Sequence, residues 1–192
     1  MSASGVHREI EIKLRVPNAR APRRVLLAAG FRVHRRRVFE DNILFDTPDL
    51  ALRQAGKLLR VRATGGEALV TYKGPAEGGK HKSREELEFS TASSKEISLM
   101  LDRLGFVRVF RYQKYRTEFK RPREKGVVTL DETPAGCFLE VEGAPGWIDR
   151  TARRLGFQES DYITSSYGLI YRELQARQAG LPPDMVFPRR AT

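Results

Sequence analysis

The chain is poor in cysteine, with one residue, Cys137, among 192. That excludes an internal disulfide and makes a reducing, cytoplasmic setting the expected one. No apolar run approaches the roughly 20 residues needed to cross a bilayer. The first residues, MSASGVHREIEIKL, hold no apolar stretch of the kind a signal peptide uses. Nucleotide-binding signatures are missing as well: there is no G-x-G-x-x-G and no Walker loop. Acidic residues are outnumbered, 24 against 35 lysines and arginines, which leaves a net charge of +11. A surplus of that size asks for an anionic partner when the basic residues recur at structured spacings.

What is present reads as one α+β domain over residues 1–175 followed by a Pro-rich extension, 176–192, that forms a tail or strap. Three helix-like segments end alike, in Ala29-Gly30-Phe31, Leu104-Gly105-Phe106 and Leu155-Gly156-Phe157, a glycine cap followed by an apolar residue that packs back. Ser93 with Glu96 has capping-box spacing. A short helix is expected after Thr47-Pro48, with Thr47 as its cap, and a last helix near 165–176 with Leu169, Ile170 and Leu174 along one side. The rest reads as strands near 6–16, 31–46, 57–64, 67–74, 83–90, 107–121, 126–132 and 137–143.

Those strands carry charge on a period of two. Glu9, Glu11, Lys13 and Arg15 alternate with Ile10, Ile12 and Leu14. Arg60 and Arg62, Thr71 and Lys73, Arg84 with Glu86 and Glu88, Lys114 with Arg116 and Glu118, Thr129 with Asp131, and Glu140 with Glu142 repeat the pattern. Side chains alternate across a strand, so each set shares a face. Two arrangements satisfy this: charges outward over an apolar barrel interior, or charges inward with the apolar faces covered by helices. The second costs desolvation and becomes tolerable when both signs are present and a ligand completes the pairing. Eight strands can close around a small ligand, and closure removes exposed edges.

The combination resembles the CYTH superfamily, the triphosphate tunnel metalloenzymes. The resemblance rests on Glu9-x-Glu11-x-Lys13, on Phe45-Asp46-Thr47-Pro48 and on Leu59-Arg60-Val61-Arg62. It continues in Thr71-Tyr72-Lys73-Gly74-Pro75, Arg84-Glu85-Glu86-Leu87-Glu88 and Lys114-Tyr115-Arg116. Leu130-Asp131, Phe138-Leu139-Glu140-Val141-Glu142 and Ser166-Tyr167 complete it, over about residues 6–175. It implies a closed eight-stranded antiparallel β-barrel with helices outside and a charged lumen. It also implies that Lys13, Arg60, Arg62, Lys73, Arg84, Lys114 and Arg116 grip a triphosphate, as guanidinium and ammonium groups suit phosphate oxygens. Glu9, Glu11 and either Glu142 or Glu140 are implied as ligands of Mg²⁺ or Mn²⁺, hard cations that bridge carboxylates to phosphates.

Lys13, Lys73, Glu88 and Asp131 are the candidates for a direct part in the chemistry, with Glu88 and Asp131 equally readable as groups that orient Lys and Arg. His7, His34 and His81 are expected on the surface, Cys137 as a packing residue, and Trp147 as packing a helix. At least one residue of Arg35-Arg36-Arg37 must face outward. The substrates considered are tripolyphosphate, ATP and thiamine triphosphate, with hydrolysis of tripolyphosphate favoured and class IV adenylate cyclase second. A non-catalytic polyphosphate or nucleotide binder is the alternative of another class. A homodimer is compatible with the sequence; no membrane partner is expected, nor a nucleic-acid partner, because a basic stripe with interleaved aromatics is not seen beyond 32–37.

Overall fold

The computed structural model describes residues 6–188. Eight strands run β1 (Val6–Val16), β2 (Arg32–Asp46), β3 (Leu58–Thr64), β4 (Glu67–Lys73), β5 (Lys82–Thr91), β6 (Val107–Lys120), β7 (Val127–Thr133) and β8 (Gly136–Glu142). They close into an antiparallel barrel in the order β1-β5-β4-β3-β2-β6-β7-β8. Closure falls on β1, whose first half pairs with β5 and whose second half pairs with β8. The helices are α1 (Arg20–Ala28), α2 (Ala51–Gln54), α3 (Ser94–Arg103), α4 (Pro145–Arg154) and α5 (Tyr167–Arg177).

The alternation settles which face is the core. Ile12, Leu14, Phe119, Val128, Leu130, Leu139 and Val141 point out of the barrel and are buried under Leu26 of α1 and Ile148, Ala152 and Leu155 at α4. Each large side chain so buried contributes about 1.5–3 kcal/mol. A second cluster, Tyr112, Phe138, Tyr167, Ile170 and Tyr171, forms where α5 meets the inward faces of β6 and β8, and Tyr112 and Tyr167 border the lumen. A third lies under α3, where Ile97 and Leu101 meet Val61 and Val70. With the apolar faces spent on helix docking, the charged faces fill the lumen. The outer face of β5 is left uncovered, with Leu87 and Phe89 exposed.

Local signals hold with four differences. Ser93 caps α3, its hydroxyl accepting from the Glu96 N–H. The short helix starts later than expected, at Ala51, after Leu50 in the left-handed region. Its cap is mainly Asp46, whose carboxylate accepts from the Leu52 and Arg53 N–H groups, while Thr47 Oγ1 accepts from Ala51. On α5 the buried side is Tyr167, Ile170 and Tyr171, and Leu169 is turned outward. The tail is a strap: Met185 is fully buried, and its backbone bonds Arg111 and Gln113 of β6. His81 is tucked against Asp149, 2.8 Å away, rather than left on the surface.

His34 and Arg35, Arg36 and Arg37 are exposed, and β2 is bulged between Val33 and Val38, which breaks its alternation there. Cys137 packs beside the first cluster. Trp147 lies on Gly126 and Gly143, its indole N–H donating to Glu124. A Cβ at Gly126 would enter the Trp147 ring. Gly126→Ala should therefore cost about 2–3 kcal/mol of stability, and Trp147→Leu in the same chain should restore part of it. Thermal melts of the single and double variants check this; equal losses would mean that ring contact is not the cause.

Candidate functional site

The barrel encloses a cavity of about 650 Å³. Period-two placement delivers its wall. Glu9, Glu11 and Lys13 come from β1, Arg60 and Arg62 from β3, Lys73 from β4, and Arg84, Glu86 and Glu88 from β5. Lys114 and Arg116 come from β6, and Glu140 and Glu142 from β8. Of the candidate catalytic, phosphate-binding and metal-binding residues, only Asp131 does not line the cavity. It faces the barrel interior but is fully buried beneath its neighbours, accepting from Lys114 at 2.8 Å, from Arg116 at 2.7 and 2.6 Å, and from the Tyr167 hydroxyl at 2.8 Å.

Most of the lumen is paired. Lys13 lies 2.9 Å from Glu11 and 3.2 Å from Glu140, and Arg116 also reaches Glu140. Burial works against charge on Glu140, yet Lys13, Arg116 and Lys114 hold its carboxyl well below the usual range. Burial opposes ionisation of Glu11 too, and Lys13 beside it keeps it low. Lys73 bridges Glu9 at 2.5 Å and Glu86 at 3.1 Å. Glu88 accepts from Thr71 at 2.6 Å and from Arg60 at 3.3 Å; despite burial, those contacts lower its carboxyl.

Two groups stand apart. Arg84 is buried, makes no hydrogen bond or ion pair among the described residues, and leaves its Nε without a partner. Glu142 likewise has no partner among the described residues. It sits opposite Glu11 across the β1–β8 ladder, and burial together with the charges of Glu9 and Glu11 pushes its carboxyl up to about 7. Burial also raises Glu86 to about 7, against the pull of Lys73. The arrangement thus has one cation without an anion and, nearby, an acid-rich corner short of positive charge. Glu140 is already neutralised by cations; Glu142 is not. As the side chains stand, no three His, Cys, Asp or Glu groups converge on one metal position among the described residues.

Several residues in or directly beneath the cavity wall were not singled out from the sequence. Glu40 is buried between Arg62 at 3.3 Å and Lys114 at 3.6 Å, and the two hold it at about 2 in spite of its burial. Asn42 accepts from Arg62 at 2.9 Å. Both sit on the inner period of β2, directly across from Lys114 and Arg62, so alternation carried the signal. Lys82, 3.0 Å from Glu11, continues the Arg84–Glu86–Glu88 face by one step. His7, though exposed, reaches the cavity 3.7 Å from Glu86. The cavity also has a less charged collar, formed by Leu44, Leu58, Val109, Phe110 and Leu169 with Arg53, Lys57 and Arg172. Strand patterning does not reveal it, because it joins α2, β6 and α5.

Comparison with known proteins follows the same lines. A Methanocaldococcus jannaschii protein provisionally named an adenylate cyclase is 30% identical over 135 residues, 70% of this chain and 75% of that one. The Pyrococcus horikoshii protein PH1012 shares the fold at TM-score 0.72 and 28% identity, over 83% of this chain and 96% of that one. A Vibrio parahaemolyticus structure, also provisionally an adenylate cyclase, superposes at TM-score 0.75 and 24% identity, over 85% of this chain and 97% of that one. A Hippeastrum protein, provisionally an adenylyl cyclase and described as having a dominant triphosphatase activity, shares the fold at TM-score 0.60 and 19% identity, over 86% and 95% of the two chains. The CYTH domain family matches residues 7–167, the whole barrel and the start of α5, and with these relatives it shows that the chain belongs to the CYTH family.

Proposed function

We propose that this chain is a divalent-metal-dependent enzyme that hydrolyses tripolyphosphate or a related triphosphate inside the barrel. The observation that carries the reading is the mismatch in an otherwise paired lumen. Arg84 is a buried guanidinium with no anion, and Glu142 is an inward carboxylate with no cation. A buried charge left alone costs several kcal/mol, which a polyanion and a divalent cation bound together would remove.

In this reading Lys13, Arg60, Arg62, Lys73, Arg84, Lys114 and Arg116, standing on separate strands, surround the phosphate chain and take up charge that develops on its oxygens. Asp131 fixes Lys114 and Arg116 from beneath, so it acts as a positioning residue. Glu88, already an acceptor for Thr71 and Arg60 and held low, suits orientation of Arg60 better than proton abstraction at neutral pH. Glu142 with Glu9 and Glu11 fits a hard cation, because carboxylate oxygens are what Mg²⁺ and Mn²⁺ prefer. Glu9 and Glu11 would give up contacts to Lys73 and Lys13, freeing both ammonium groups for phosphate. When bound, the ion neutralises phosphate oxygens beside the carboxylates. Glu140, bridged by Lys13 and Arg116, serves the cation frame instead.

The second reading is formation of cyclic AMP from ATP. It is favoured by the collar, where Phe110 and Leu169 offer an apolar wall for an organic group, and by the name of the M. jannaschii relative.

Purified protein incubated with Mg²⁺ or Mn²⁺ and tripolyphosphate, ATP or thiamine triphosphate should release phosphate, most readily from tripolyphosphate, and Glu11→Ala should abolish the release. Cyclic AMP with pyrophosphate would instead establish the second reading, and no product from any of the three would refute both. Lys73→Ala and Arg84→Gln should each lower turnover by about 10²–10³-fold. Arg84→Gln removes no internal contact, so its melting temperature should not fall; near wild-type turnover in both variants would overturn the phosphate cage.

The Glu142 carboxyl gives a pH test. Its folded value, about 7, lies above the ordinary 4.5. The folded state therefore holds a proton that the unfolded state has released across that window. The stabilisation is present below about pH 4.5 and is lost as pH rises through 7. Without metal, Glu142→Gln should match wild type near pH 4.5 and exceed it at pH 8 by on the order of 2 kcal/mol. Mg²⁺ at pH 8 should stabilise wild type and do less for the variant. Melting curves that stay parallel across pH would show that Glu142 is not the uncompensated charge.

A further inference from the structure

The cavity lining holds eleven lysines and arginines against seven carboxylates, so it accounts for the smaller part of the net charge of +11. The surplus sits outside, and folding concentrates it. α1 and α4 lie on the same outer face of the barrel, joined through Leu26, Phe31, Ile148 and Ala152. The β6–β7 turn, residues 121–126, tucks against both: Arg121 lies over Gly30, and Trp147 lies over Gly126. The start of β2 borders the end of β6, Arg32 opposite Lys120. Four segments far apart in sequence therefore share one surface.

That surface is strongly basic. On α1 the buried side is Pro22 and Leu26, so Arg23 and Arg24 face solvent. On α4 the buried side is Ile148, Thr151 and Ala152, so Arg150 and Arg153 face solvent. Arg36 and Arg123 are exposed at its border. None of these six arginines has a carboxylate at ion-pairing distance among the described residues. The nearby acids are already engaged, Glu118 with Arg35 and Glu124 with Arg121 and Arg154. Unpaired guanidinium groups on one face raise the local potential and suit phosphate oxygens bidentately.

The structure assigns this face, outside the barrel and independent of the tunnel reaction, as a binding surface for the phosphate backbone of a double-stranded nucleic acid. Single strands are held largely by stacking on exposed aromatics. Here the sole aromatic on the two helices, Trp147, is packed onto Gly126 and Gly143. Contact through phosphates alone predicts little sequence preference and a steep salt dependence. RNA and DNA duplexes share that chemistry and differ in groove shape.

The test is fluorescence anisotropy of the full chain with 5′-hydroxyl duplexes of about 24 base pairs in RNA and DNA form and the matching single strands. The hydroxyl end keeps the tunnel out of the measurement. Duplex affinity should fall by about 10²–10³-fold between about 50 and 200 mM KCl, as expected for four to six phosphate contacts. Arg24→Glu, Arg123→Glu and Arg153→Glu together should weaken duplex binding by at least about 30-fold and flatten the salt slope. Reversal of three exposed cations elsewhere, Lys95→Glu, Arg103→Glu and Arg177→Glu, should change it by less than about threefold. The corresponding Arg→Gln triple variant, checked by circular dichroism and melting, gives the same comparison if the reversals disturb folding. Equal losses in the two triple variants would reduce the effect to overall charge and overturn the assignment. So would binding of single strands in preference to duplex, or no duplex binding at low salt.

Discussion

The constraint on which this molecule turns is the cost of holding charge inside a closed barrel. A lumen lined with Lys, Arg, Glu and Asp is affordable only when nearly every charge meets its opposite. Lys13, Lys73, Lys114 and Arg116 each meet at least two carboxylates, and Asp131 collects two cations and a tyrosine hydroxyl. Such a network does little for net stability compared with an apolar filling. What it provides is a rigid frame whose few uncompensated positions are sharply defined.

The outside of the barrel follows from the inside. Because the strands turn their charged faces inward, their aliphatic faces must be covered, and α1 and α4 supply the cover in one cluster and α3 in another, while α5 packs on inward-facing Tyr112 and Phe138. The strap through Met185 pairs with the β6 backbone and closes onto Tyr171, whose hydroxyl donates to the Pro182 carbonyl. The helices in turn carry the surplus arginines outward, away from a lumen that is close to balanced. One fold thus has two distinct electrostatic surfaces: an enclosed one whose pairing leaves a specific vacancy for anion and cation, and an open one with unpaired positive charge. Membership of the CYTH family fits the first and says nothing about the second.

How far the sequence could be read depended on whether a signal was periodic. All eight strands stood where alternation placed them, because period two is a local property and the aliphatic half of each strand is unambiguous. The phosphate-gripping and acidic candidates, apart from Asp131, all reach the cavity for the same reason. Glu40 and Asn42 obeyed the same rule on β2 and went unnoticed because the arginine run and bulge just before them obscure the period. Helix ends with a Gly-Phe closure were equally plain. The α2 cap was not, since Asp46 bonds N–H groups six and seven residues ahead through a turn that only three dimensions show.

Strand positions and the sets of side chains that share a face were legible in the sequence alone, because a side chain's face follows from its place in the repeat; the pattern left open which face turns inward, which the resemblance implied and closure of the barrel decided. Pairing partners were decided by the tertiary structure. Whether Glu140 or Glu142 keeps a free charge depends on which cations reach across the barrel, and strand register and side-chain length set that reach. The same holds for Asp131 beneath Lys114 and Arg116, for the collar between α2 and α5, and for the basic face assembled from α1, α4, the β6–β7 turn and the start of β2. Each joins residues distant in the chain, and proximity of that kind comes only from closing the barrel.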